Sequence, residues 1–340
     1  MCGVYLYNGN TYSYESLKGS IDKIQYRGPD NSKCSNLDEN VLFAFHRLSI
    51  VGLSEEGNQP LIHPEDDSLV LICNGEIYNY KNLAQKYNFN LKTGSDCEII
   101  LHMFKLHGIE KTVSALDGVF MFVLYDMNSK IIYASRDPFG VRPGFIGYNE
   151  EELFISSEAK PLIEHCNKII PFEPGTWWSS KDKNNFNNFF NINSSPEINV
   201  DAILNNVNTL LKESVKKRLM AEREIGCLLS GGLDSSLIAA LVSKYYSVDK
   251  LNTFSIGMPG SIDLYCAKKV ADFIQSNHHH VEISEQDFLD SIEKVIYNIE
   301  SYDITTVRAS VGNYLVSKYI SENTDCKVIF NGDGSDEVCC

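Results

Sequence analysis

The hydrophobic positions along the chain change their spacing near the middle of the sequence. In the first half, short apolar runs bounded by turn residues predict β-strands. These runs lie at residues 41–51, 68–73, 116–126, 131–135 and 153–156. One amphipathic helical pattern stands among them, at residues 98–107. Many strands with few helices, in hairpin order, predict two antiparallel sheets rather than a parallel sheet.

In the second half, apolar runs with strand spacing alternate with runs that have helical spacing. An amphipathic helix is predicted over residues 200–220, with these apolar residues on one side: Ile203, Leu204, Val207, Leu210, Leu211, Val215 and Leu219. Strands are predicted at residues 225–229, 251–257, 279–283 and 326–330, and helices at residues 235–246, 264–276, 285–299 and 309–320. This alternation predicts a doubly wound parallel sheet, whose ligands bind at the carboxyl ends of the strands.

A polar segment rich in Asn, Lys and Ser separates the two halves, which is typical of a linker or surface loop. With 340 residues, the chain is long enough for two domains with sizeable cores. We therefore predict a first domain over residues 2–180, a linker over residues 181–199 and a second domain over residues 200–340.

Composition and charge limit the classes of protein to which the chain can belong. The hydrophobic content of 43% and the charged content of 22% are those of a soluble globular protein. The net charge of −15 argues against nucleic acid as a partner. No apolar run is long enough to span a membrane, and the first residues lack the pattern of a signal peptide, so a cytoplasmic protein is expected. The ten cysteines show no metal-ligand spacing and are typical of reduced thiols.

The segment Ser230-Gly-Gly-Leu-Asp-Ser-Ser236 lies between a predicted strand and a predicted helix. Gly231 and Gly232 let the backbone approach a ligand closely, and the serines add hydroxyl donors. The helix start adds free N–H groups and the positive end of a dipole. An ordinary glycine-rich turn is the alternative, but the combination favours a site for a phosphate or pyrophosphate.

Cys2 is a candidate nucleophile, because a small second residue favours removal of Met1, and this removal would leave Cys2 at the N-terminus. A free α-amine, with an unperturbed pKa of roughly 7.7–8.0, can take the thiol proton directly or through a water. The alternative is a cysteine that merely happens to stand second.

Three polar groups in the first half have both a functional and a structural interpretation. Arg47 lies in an apolar context and is suited to bidentate carboxylate recognition, or to an internal ion pair. Asn74 and Gly75 can form an oxyanion hole, or the turn of a hairpin. Asp96 can cap the following helix, or bind a substrate ammonium group.

Together these motifs resemble the glutamine-hydrolysing asparagine synthetase family. The resemblance is carried by Cys2-Gly3 and by residues 27–30, 46–49, 74–79, 95–96, 157–160 and 230–236. It implies an α+β N-terminal-nucleophile sandwich, with two antiparallel sheets between helices, as a glutamine amidotransferase domain. An α/β domain with a doubly wound parallel sheet, of the ATP pyrophosphatase type, would follow.

The resemblance implies roles in the first domain. Cys2 would attack the glutamine amide, while Asn74 and Gly75 would hold the oxyanion. The glutamine-binding residues implied are Arg47, Leu48, Ile50, Val51, Asn74, Gly75, Glu76 and Asp96. Among them, Arg47 would bind the α-carboxylate of glutamine, and Glu76 with Asp96 would bind its α-ammonium group.

The resemblance also implies ATP-dependent amidation of L-aspartate through a β-aspartyl-AMP intermediate, giving asparagine, AMP, pyrophosphate and glutamate. The ATP-binding residues implied are Leu228, Ser230, Gly231, Gly232, Asp234, Ser235, Ser236, Ile256, Asn331 and Gly332. Arg308, Asp333 and Asp336 would complete the synthetase site, and Asp234 with Asp336 would bind Mg²⁺. Helix capping and turn formation are the alternative roles of these aspartates. The partners implied are glutamine, aspartate and ATP, with homodimer formation left open.

The chain departs from the family pattern in three ways. Asn331 replaces the usual Ser, Asp333 replaces the usual Glu, and the sequence stops at Cys340, where the family continues. We therefore expect glutamine hydrolysis with little or no asparagine formation by these 340 residues. The interpretations left open are a full asparagine synthetase, a glutaminase-active remnant or fragment, and a related synthetase with another acceptor.

Overall fold

The structure is a computed structural model that describes residues 1–150, 152–192 and 199–335. The chain forms two compact units, Met1–Ser195 and Pro196–Cys340. No helix within the described ranges is both long enough and apolar enough to cross a membrane.

The first unit contains two six-stranded sheets. Its strands are β1 (Gly3–Asn8), β2 (Asn31–Asn36), β3 (Val41–Arg47), β4 (Leu61–His63), β5 (Asp66–Ile77), β6 (Gly118–Asp126), β7 (Ile131–Arg136), β8 (Phe145–Asn149), β9 (Glu152–Ser156), β10 (Lys168–Pro171), β11 (Thr176–Ser179) and β12 (Asp182–Asn188). Its helices are α1 (Tyr14–Ile21), α2 (Tyr80–Tyr87) and α3 (Glu98–Ala115). The sheet orders are β10-β8-β9-β1-β3-β2 and β12-β11-β7-β6-β5-β4.

The two sheets pack face to face between helices. Val4 and Phe43 of the first sheet share one buried cluster with Ile72 and Val123 of the second sheet. A second cluster joins the outer face of the second sheet to α2 and α3, and a third joins the outer face of the first sheet to α1. The central strands of both sheets therefore bury both faces, and the predicted sandwich of two antiparallel sheets between helices is confirmed.

The predicted linker, residues 181–199, begins with regular structure. Strand β12 pairs with β11 at the edge of the second sheet, with Thr176 opposite Asn188. An edge strand forms backbone hydrogen bonds on one side and can remain polar and exposed, so its sequence lacks the apolar alternation of a buried strand. Residues 193–198 of the predicted linker lie outside the described ranges.

The second unit is a parallel sheet with helices on both faces. Its strands are β13 (Ile225–Leu228), β14 (Asn252–Gly257), β15 (Asn277–Glu282) and β16 (Val328–Phe330), in the order β15-β14-β13-β16. Its helices are α4 (Val200–Arg218), α5 (Leu233–Tyr245), α6 (Ile262–Phe273), α7 (Glu285–Ile299) and α8 (Ile304–Asn323). Helices α4, α5 and α6 pack with Cys227 in one cluster, while α8 packs with Phe254 in another. The predicted doubly wound sheet is confirmed.

Helix α4 buries less of its apolar side than the sequence pattern predicts. Val215 is buried, and Leu211 and Leu219 pack partly against the same cluster. Leu204 and Leu210, nearer its start, are 62% and 61% exposed. The cluster reaches only the last turns of α4, so the apolar side of its earlier turns lies outside that core.

Candidate active site

The residues predicted to bind glutamine line one pocket of the first unit. The predicted residues at this pocket are Cys2, Arg47, Leu48, Ile50, Val51, Asn74, Gly75, Glu76 and Asp96. Residues that the sequence analysis did not assign also line it: Met1, Ser49, Gly57, Gln59, Cys73, Ser95, Cys97 and Arg142. The fold therefore brings the whole predicted set together.

Cys2 lies directly before β1, and its backbone is held on both sides. The Cys2 N–H donates to Asn74 Oδ1 at 2.9 Å, and the Cys2 carbonyl accepts from Arg27 Nε at 2.9 Å. The Sγ atom accepts from the Leu48 N–H at 3.4 Å and lies 3.6 Å from the Leu48 carbonyl oxygen. Burial raises the pKa of the Cys2 thiol, so attack by Cys2 needs a base nearby.

The N-terminal amine of the chain provides such a base close to Cys2. Burial, with the positive charges of Arg142 and Arg27, lowers the pKa of the Met1 α-amine to about 6, against the opposing effect of Cys2. Removal of Met1 would place the α-amine at the Cys2 nitrogen, beside Asn74 Oδ1.

The Asn74 side chain presents a donor to the pocket. Its Oδ1 accepts from the Cys2 N–H, whereas its Nδ2 is buried and has no hydrogen-bond partner within the described part of the chain. A buried donor without a partner costs about 1–3 kcal/mol. An Nδ2 group in this state can donate to an oxygen atom of a ligand in the pocket.

Asn74 and Gly75 lie inside a strand, so the hairpin-turn interpretation is wrong. In β5 they pair with Met121 and Phe120 of β6. A Cβ atom at Gly75 would lie 2.6 Å from the Val119 carbonyl oxygen, so a larger residue would push the two strands apart. A polar Asn-Gly pair can be accommodated in this strand because the strand borders the pocket at this point.

Arg47 is the last residue of β3, and its side chain is held by the loop that follows. Its Nη1 donates to the Ser54 carbonyl oxygen at 2.9 Å and to Asn58 Oδ1 at 2.7 Å, and its Nη2 donates to the Gly52 carbonyl oxygen. The guanidinium is buried but belongs to the pocket lining. These contacts fix its plane, which suits recognition of a carboxylate.

Two buried carboxylates, Glu76 and Asp96, line the same pocket. Glu76 Oε1 lies 3.0 Å from Arg142 Nη2, and Asp96 Oδ2 accepts from the Ile77 N–H at 2.6 Å. Burial, assisted by Glu76, raises the pKa of Asp96 to about 7. The N-cap of α3 is Cys97, with no side-chain hydrogen bond, so capping of α3 by Asp96 is not found. A buried carboxylate of this kind is stabilised by a cation in the pocket.

Gln59 is one residue that the sequence analysis missed. Its Oε1 accepts from the Cys73 N–H at 2.6 Å, and its Nε2 donates to the Cys73 carbonyl oxygen at 3.1 Å. The Gln59 side-chain amide thus forms the two hydrogen bonds with β5 that the backbone of a neighbouring strand would form, at the residue just before Asn74. Nothing in the local sequence indicates this contact, because it joins residues 14 positions apart through the fold.

The segments around Arg27 and Glu158 carry part of the family resemblance, without an assigned role. In the structure they contact each other next to Cys2. Arg27 Nη1 lies 2.6 Å from Glu158 Oε1, and Lys160 Nζ lies 2.8 Å from Glu158 Oε2. All three side chains are buried. Their charges are paired with one another, as burial requires, and this network supports the guanidinium that binds the Cys2 carbonyl.

The predicted phosphate loop of the second unit runs from β13 to α5. Gly231 has a φ of 82°, and a Cβ atom there would lie 2.5 Å from the Ala267 backbone nitrogen of α6. Only glycine therefore fits this position. Gly232 is the N-cap of α5 and forms no side-chain cap bond, which leaves N–H groups of the first turn available to an anion.

Hydroxyl groups of this loop lie side by side. Ser230 Oγ and Ser235 Oγ are 2.9 Å apart, and Ser236 Oγ donates to the Gly232 carbonyl oxygen at 2.5 Å. Ser230 is exposed, so the loop is open to a ligand. The arrangement combines glycine backbone, hydroxyls and a helix N-terminus, which together can bind a phosphate group.

The loop after β16 touches the phosphate loop. A Cβ atom at Gly332 would lie 2.7 Å from the Ser235 backbone nitrogen and 2.9 Å from the Asp234 carbonyl carbon. In the sheet, β13 lies between β14 and β16, so the chain order reverses at this point, where doubly wound sheets bind ligands. Asn331 Nδ2 donates to Asp333 Oδ2 at 2.9 Å.

The remaining predicted synthetase residues are less closely gathered. Leu228 and Ile256 pack partly against the same buried cluster as α8. Arg308 is exposed in the second turn of α8. Within the described ranges, it forms no hydrogen bond or ion pair with either of the two loops. Asp336 lies outside the described residues.

Asp234 is the described residue that fits a role in binding Mg²⁺. It is half-buried in the first turn of α5, next to the phosphate loop. Magnesium is commonly bound by one or two carboxylates together with phosphate oxygens and water. Among the described residues, no group of three or more His, Cys, Asp or Glu side chains is arranged to hold a metal by itself.

Comparison with known proteins identifies two families along the chain. The family described as "Glutamine amidotransferase domain" matches residues 1–222, and the family described as "Asparagine synthase" matches residues 206–340. A solved structure of glutamine phosphoribosylpyrophosphate amidotransferase from B. subtilis, with ADP and GMP, is 14% identical with a TM-score of 0.49, covering 98% of this chain and 91% of that chain.

Two curated relatives match nearly the whole chain. The glutamine-hydrolysing asparagine synthetase of Rattus norvegicus is 41% identical over 371 residues, covering 99% of this chain and 66% of the relative. A probable glutamine-hydrolysing asparagine synthetase of Acanthamoeba polyphaga mimivirus is 39% identical over 369 residues, covering 99% and 67% respectively. The chain thus spans about two thirds of the length of these relatives. It belongs to the family of the glutamine-hydrolysing asparagine synthetases.

Proposed function

We propose that the function of the protein is ATP-dependent amidation of L-aspartate to L-asparagine with ammonia released from glutamine, and that these 340 residues keep the glutamine hydrolysis of this reaction. The observation that carries the first half of this proposal is the buried, unpartnered Nδ2 of Asn74, in the pocket that also holds Cys2. A buried donor beside a thiol is the arrangement that stabilises the oxyanion formed when the thiol attacks an amide.

In the glutaminase reaction, the Cys2 thiol attacks the side-chain carbonyl carbon of glutamine. The thiol proton passes to the α-amine of Cys2, once Met1 has been removed. The oxyanion accepts from Asn74 Nδ2 and from the Gly75 N–H. The C–N bond then breaks, the proton moves to the leaving nitrogen, and ammonia departs. Water hydrolyses the thioester to give glutamate and restores the thiol.

The charged groups of the pocket would bind the amino-acid end of glutamine. Arg47, whose guanidinium is fixed by the loop after β3, would bind the α-carboxylate through its positive charge. Asp96, with Glu76 beside it, would bind the α-ammonium group. Leu48, Ile50 and Val51 complete the lining.

In the synthetase reaction, the β-carboxylate of aspartate attacks the α-phosphorus of ATP, and the bond to pyrophosphate breaks. Ammonia then displaces AMP from β-aspartyl-AMP and gives asparagine. The N–H groups at the start of α5 and the hydroxyls of Ser230, Ser235 and Ser236 would hold the departing pyrophosphate. Asp234, with Asp336, would hold Mg²⁺, which neutralises charge on the phosphates. Arg308 and Asp333 are proposed contacts to the aspartyl-adenylate.

A second candidate is a protein with glutaminase activity and no asparagine synthesis. It is favoured by the contact between Asn331 and Asp333, the two positions that depart from the family pattern. Asp333 is one methylene shorter than the usual glutamate, and one of its carboxylate oxygens accepts from Asn331. Both effects draw this carboxylate away from a substrate in the loop.

Steady-state measurement of glutamate, AMP and asparagine distinguishes these proposals. Glutamine, aspartate and ATP should yield all three products if the first proposal holds, and ammonium chloride should replace glutamine in asparagine formation. Glutamate without AMP or asparagine would support the second candidate, and the absence of glutamate would contradict both. Cytoplasmic residence and homodimer formation belong to the proposal, and cell fractionation and size-exclusion chromatography would test them.

A further inference from the structure

Glu98, the first residue of α3, has a completely buried side chain that no step of the proposed reaction uses. Its Oε2 accepts from the Lys92 N–H at 2.9 Å, from the Thr93 N–H at 2.7 Å and from Thr93 Oγ1 at 2.7 Å. Its Oε1 lies 3.2 Å from His102 Nε2, one turn along the helix. The carboxylate therefore turns back from α3 and binds the segment that precedes the helix.

These contacts close a ring of hydrogen bonds around residues 92–97. Thr93 Oγ1, which donates to Glu98, accepts from the Ser95 N–H at 3.2 Å, and Ser95 Oγ accepts from the Cys97 N–H at 3.3 Å. Burial opposes the charge of Glu98, but the hydrogen bonds from His102, Thr93 and Lys92 outweigh it and lower its pKa to about 2. Glu98 is therefore an anion at neutral pH.

The ring reaches two charged groups of the glutamine pocket, Asp96 and Arg47. Asp96 belongs to the segment that the ring closes, and its carboxylate faces the pocket. Gly94 packs against Gly52, since a Cβ atom at Gly52 would lie 2.6 Å from the Gly94 carbonyl carbon. The Gly52 carbonyl oxygen in turn accepts from Arg47 Nη2. Displacement of residues 92–97 would therefore move Asp96 directly and Arg47 through Gly52.

We propose that Glu98 is a positioning residue that sets the distance between Asp96 and Arg47, and so selects ligands with an α-ammonium and an α-carboxylate group. This inference rests on the glutamine hydrolysis proposed above. Cys2 and Asn74 are held by β1 and β5, and the hydrogen bonds of Cys2 within the described ranges join it to Asn74, Leu48 and Arg27. The segment reaches this end of the pocket at Cys97, whose Sγ lies 3.8 Å from the Gly75 carbonyl oxygen, and in the described part of the chain Glu98 does not bond to that thiol. Loss of Glu98 should therefore weaken recognition of the amino-acid end and spare the chemistry at the amide.

The test compares Glu98→Gln, Thr93→Val and the control Glu110→Gln in the full 340-residue chain. Glu98→Gln removes the charge and one acceptor, and Thr93→Val keeps the shape of Thr93 but removes the hydroxyl that links Glu98 to Ser95. Glu110 is an exposed glutamate of α3 that lies beyond the kink at Gly108, so its replacement makes the same change of charge away from the ring. Glutamate release gives KM and kcat for each protein. A second readout is the rate of Cys2 alkylation by iodoacetamide and by a glutamine-like diazoketone.

We expect Glu98→Gln to raise KM for glutamine about tenfold or more, the ratio that corresponds to one lost charge-assisted hydrogen bond. Thr93→Val should raise KM in the same direction, with kcat within about threefold of wild type in both variants. Alkylation by the diazoketone should slow, while alkylation by iodoacetamide, which has no amino-acid end, should keep its rate. Glu110→Gln should match wild type throughout.

An unchanged KM in folded Glu98→Gln would overturn the inference, as would equal slowing of both alkylation reactions, which indicates a general loss of structure. If Glu98→Gln does not accumulate as a folded protein, Thr93→Val decides, and its unchanged KM would overturn the inference. Failure of the wild-type chain to release glutamate is a different result, because it removes the proposed function on which the inference rests.

Discussion

The Asn74 amide provides the sharpest test of the proposed glutaminase reaction, because its two ends have different roles. Oδ1 accepts from the Cys2 N–H at 2.9 Å, and Nδ2 is buried without a partner in the described part of the chain. Asn74→Asp keeps the shape and an acceptor for Cys2, but replaces the donor by an oxygen that carries negative charge. Asn74→Ala removes both ends.

The size of the effect follows from these contacts. Removal of one oxyanion donor lowers kcat by about 10²–10³, or about 2.7–4 kcal/mol. Asn74→Asp should reach at least this loss, because its charge repels the oxyanion. Asn74→Ala should show the same loss of kcat, with an added cost of about 0.5–1.5 kcal/mol in stability from the lost hydrogen bond to Cys2. The removal of the unpartnered donor offsets part of that cost.

The assay is glutamate release at saturating glutamine, with thermal unfolding of each variant measured alongside. Asn128→Asp makes the same replacement at an exposed turn between β6 and β7; it loses the hydrogen bond from Asn128 Nδ2 to Ser68 Oγ but should match wild type in kcat. A kcat for Asn74→Ala within about threefold of wild type, in a folded protein, would refute the role of Nδ2 as an oxyanion donor. Equal losses in Asn74→Asp and Asn128→Asp would show that the charge acts at a distance.

Three further outcomes are expected. Cys2→Ala should abolish glutamate release and leave ATP binding, measured by calorimetry, unchanged; persistent release would exclude Cys2 as nucleophile. Arg47→Lys should raise KM for glutamine by about tenfold or more, because an ammonium cannot replace the two-pronged guanidinium, and an unchanged KM would make Arg47 a structural residue. Because the pKa of Asp96 is about 7, KM for glutamine should rise as the pH falls below 7, by up to about tenfold per unit. Asp96→Asn should remove this pH dependence, measured from pH 5.5 to 8.

The layers of the fold were predictable because each buried strand carries a readable pattern. Val119 to Tyr125 are buried on both faces, and the sequence shows a continuous apolar run there. The apolar pattern is lost where a strand carries polar residues of the pocket or exposes one face to solvent. Strand β5 extends through Asn74 to Ile77 because its ladder with β6 continues, although polar residues interrupt the apolar run.

The site was predictable only as far as its residues stand in recognisable motifs. Cys2, Arg47, Asn74 and Asp96 were found this way, and the pocket contains all of them. The contacts that support the site were not predictable, because they join positions far apart in the sequence. Many other residues of the same types could form the same kind of hydrogen bond or ion pair. The Arg142 to Glu76 ion pair spans 66 positions, and an arginine in a turn carries no mark of its partner.

The charges of the pocket explain which carboxylate is better suited to receive an ammonium group. Glu76 already lies 3.0 Å from the Arg142 guanidinium, so a further cation near it would meet a repelling positive charge. Asp96 accepts from the neutral Ile77 N–H, and its carboxylate is disfavoured by burial and by Glu76, as its raised pKa records. An ammonium group beside Asp96 relieves both penalties, because it supplies the missing countercharge. If the pocket binds glutamine as proposed, binding and ionisation of Asp96 are coupled, and we expect the pocket to bind a zwitterion more tightly than an amide without an ammonium group.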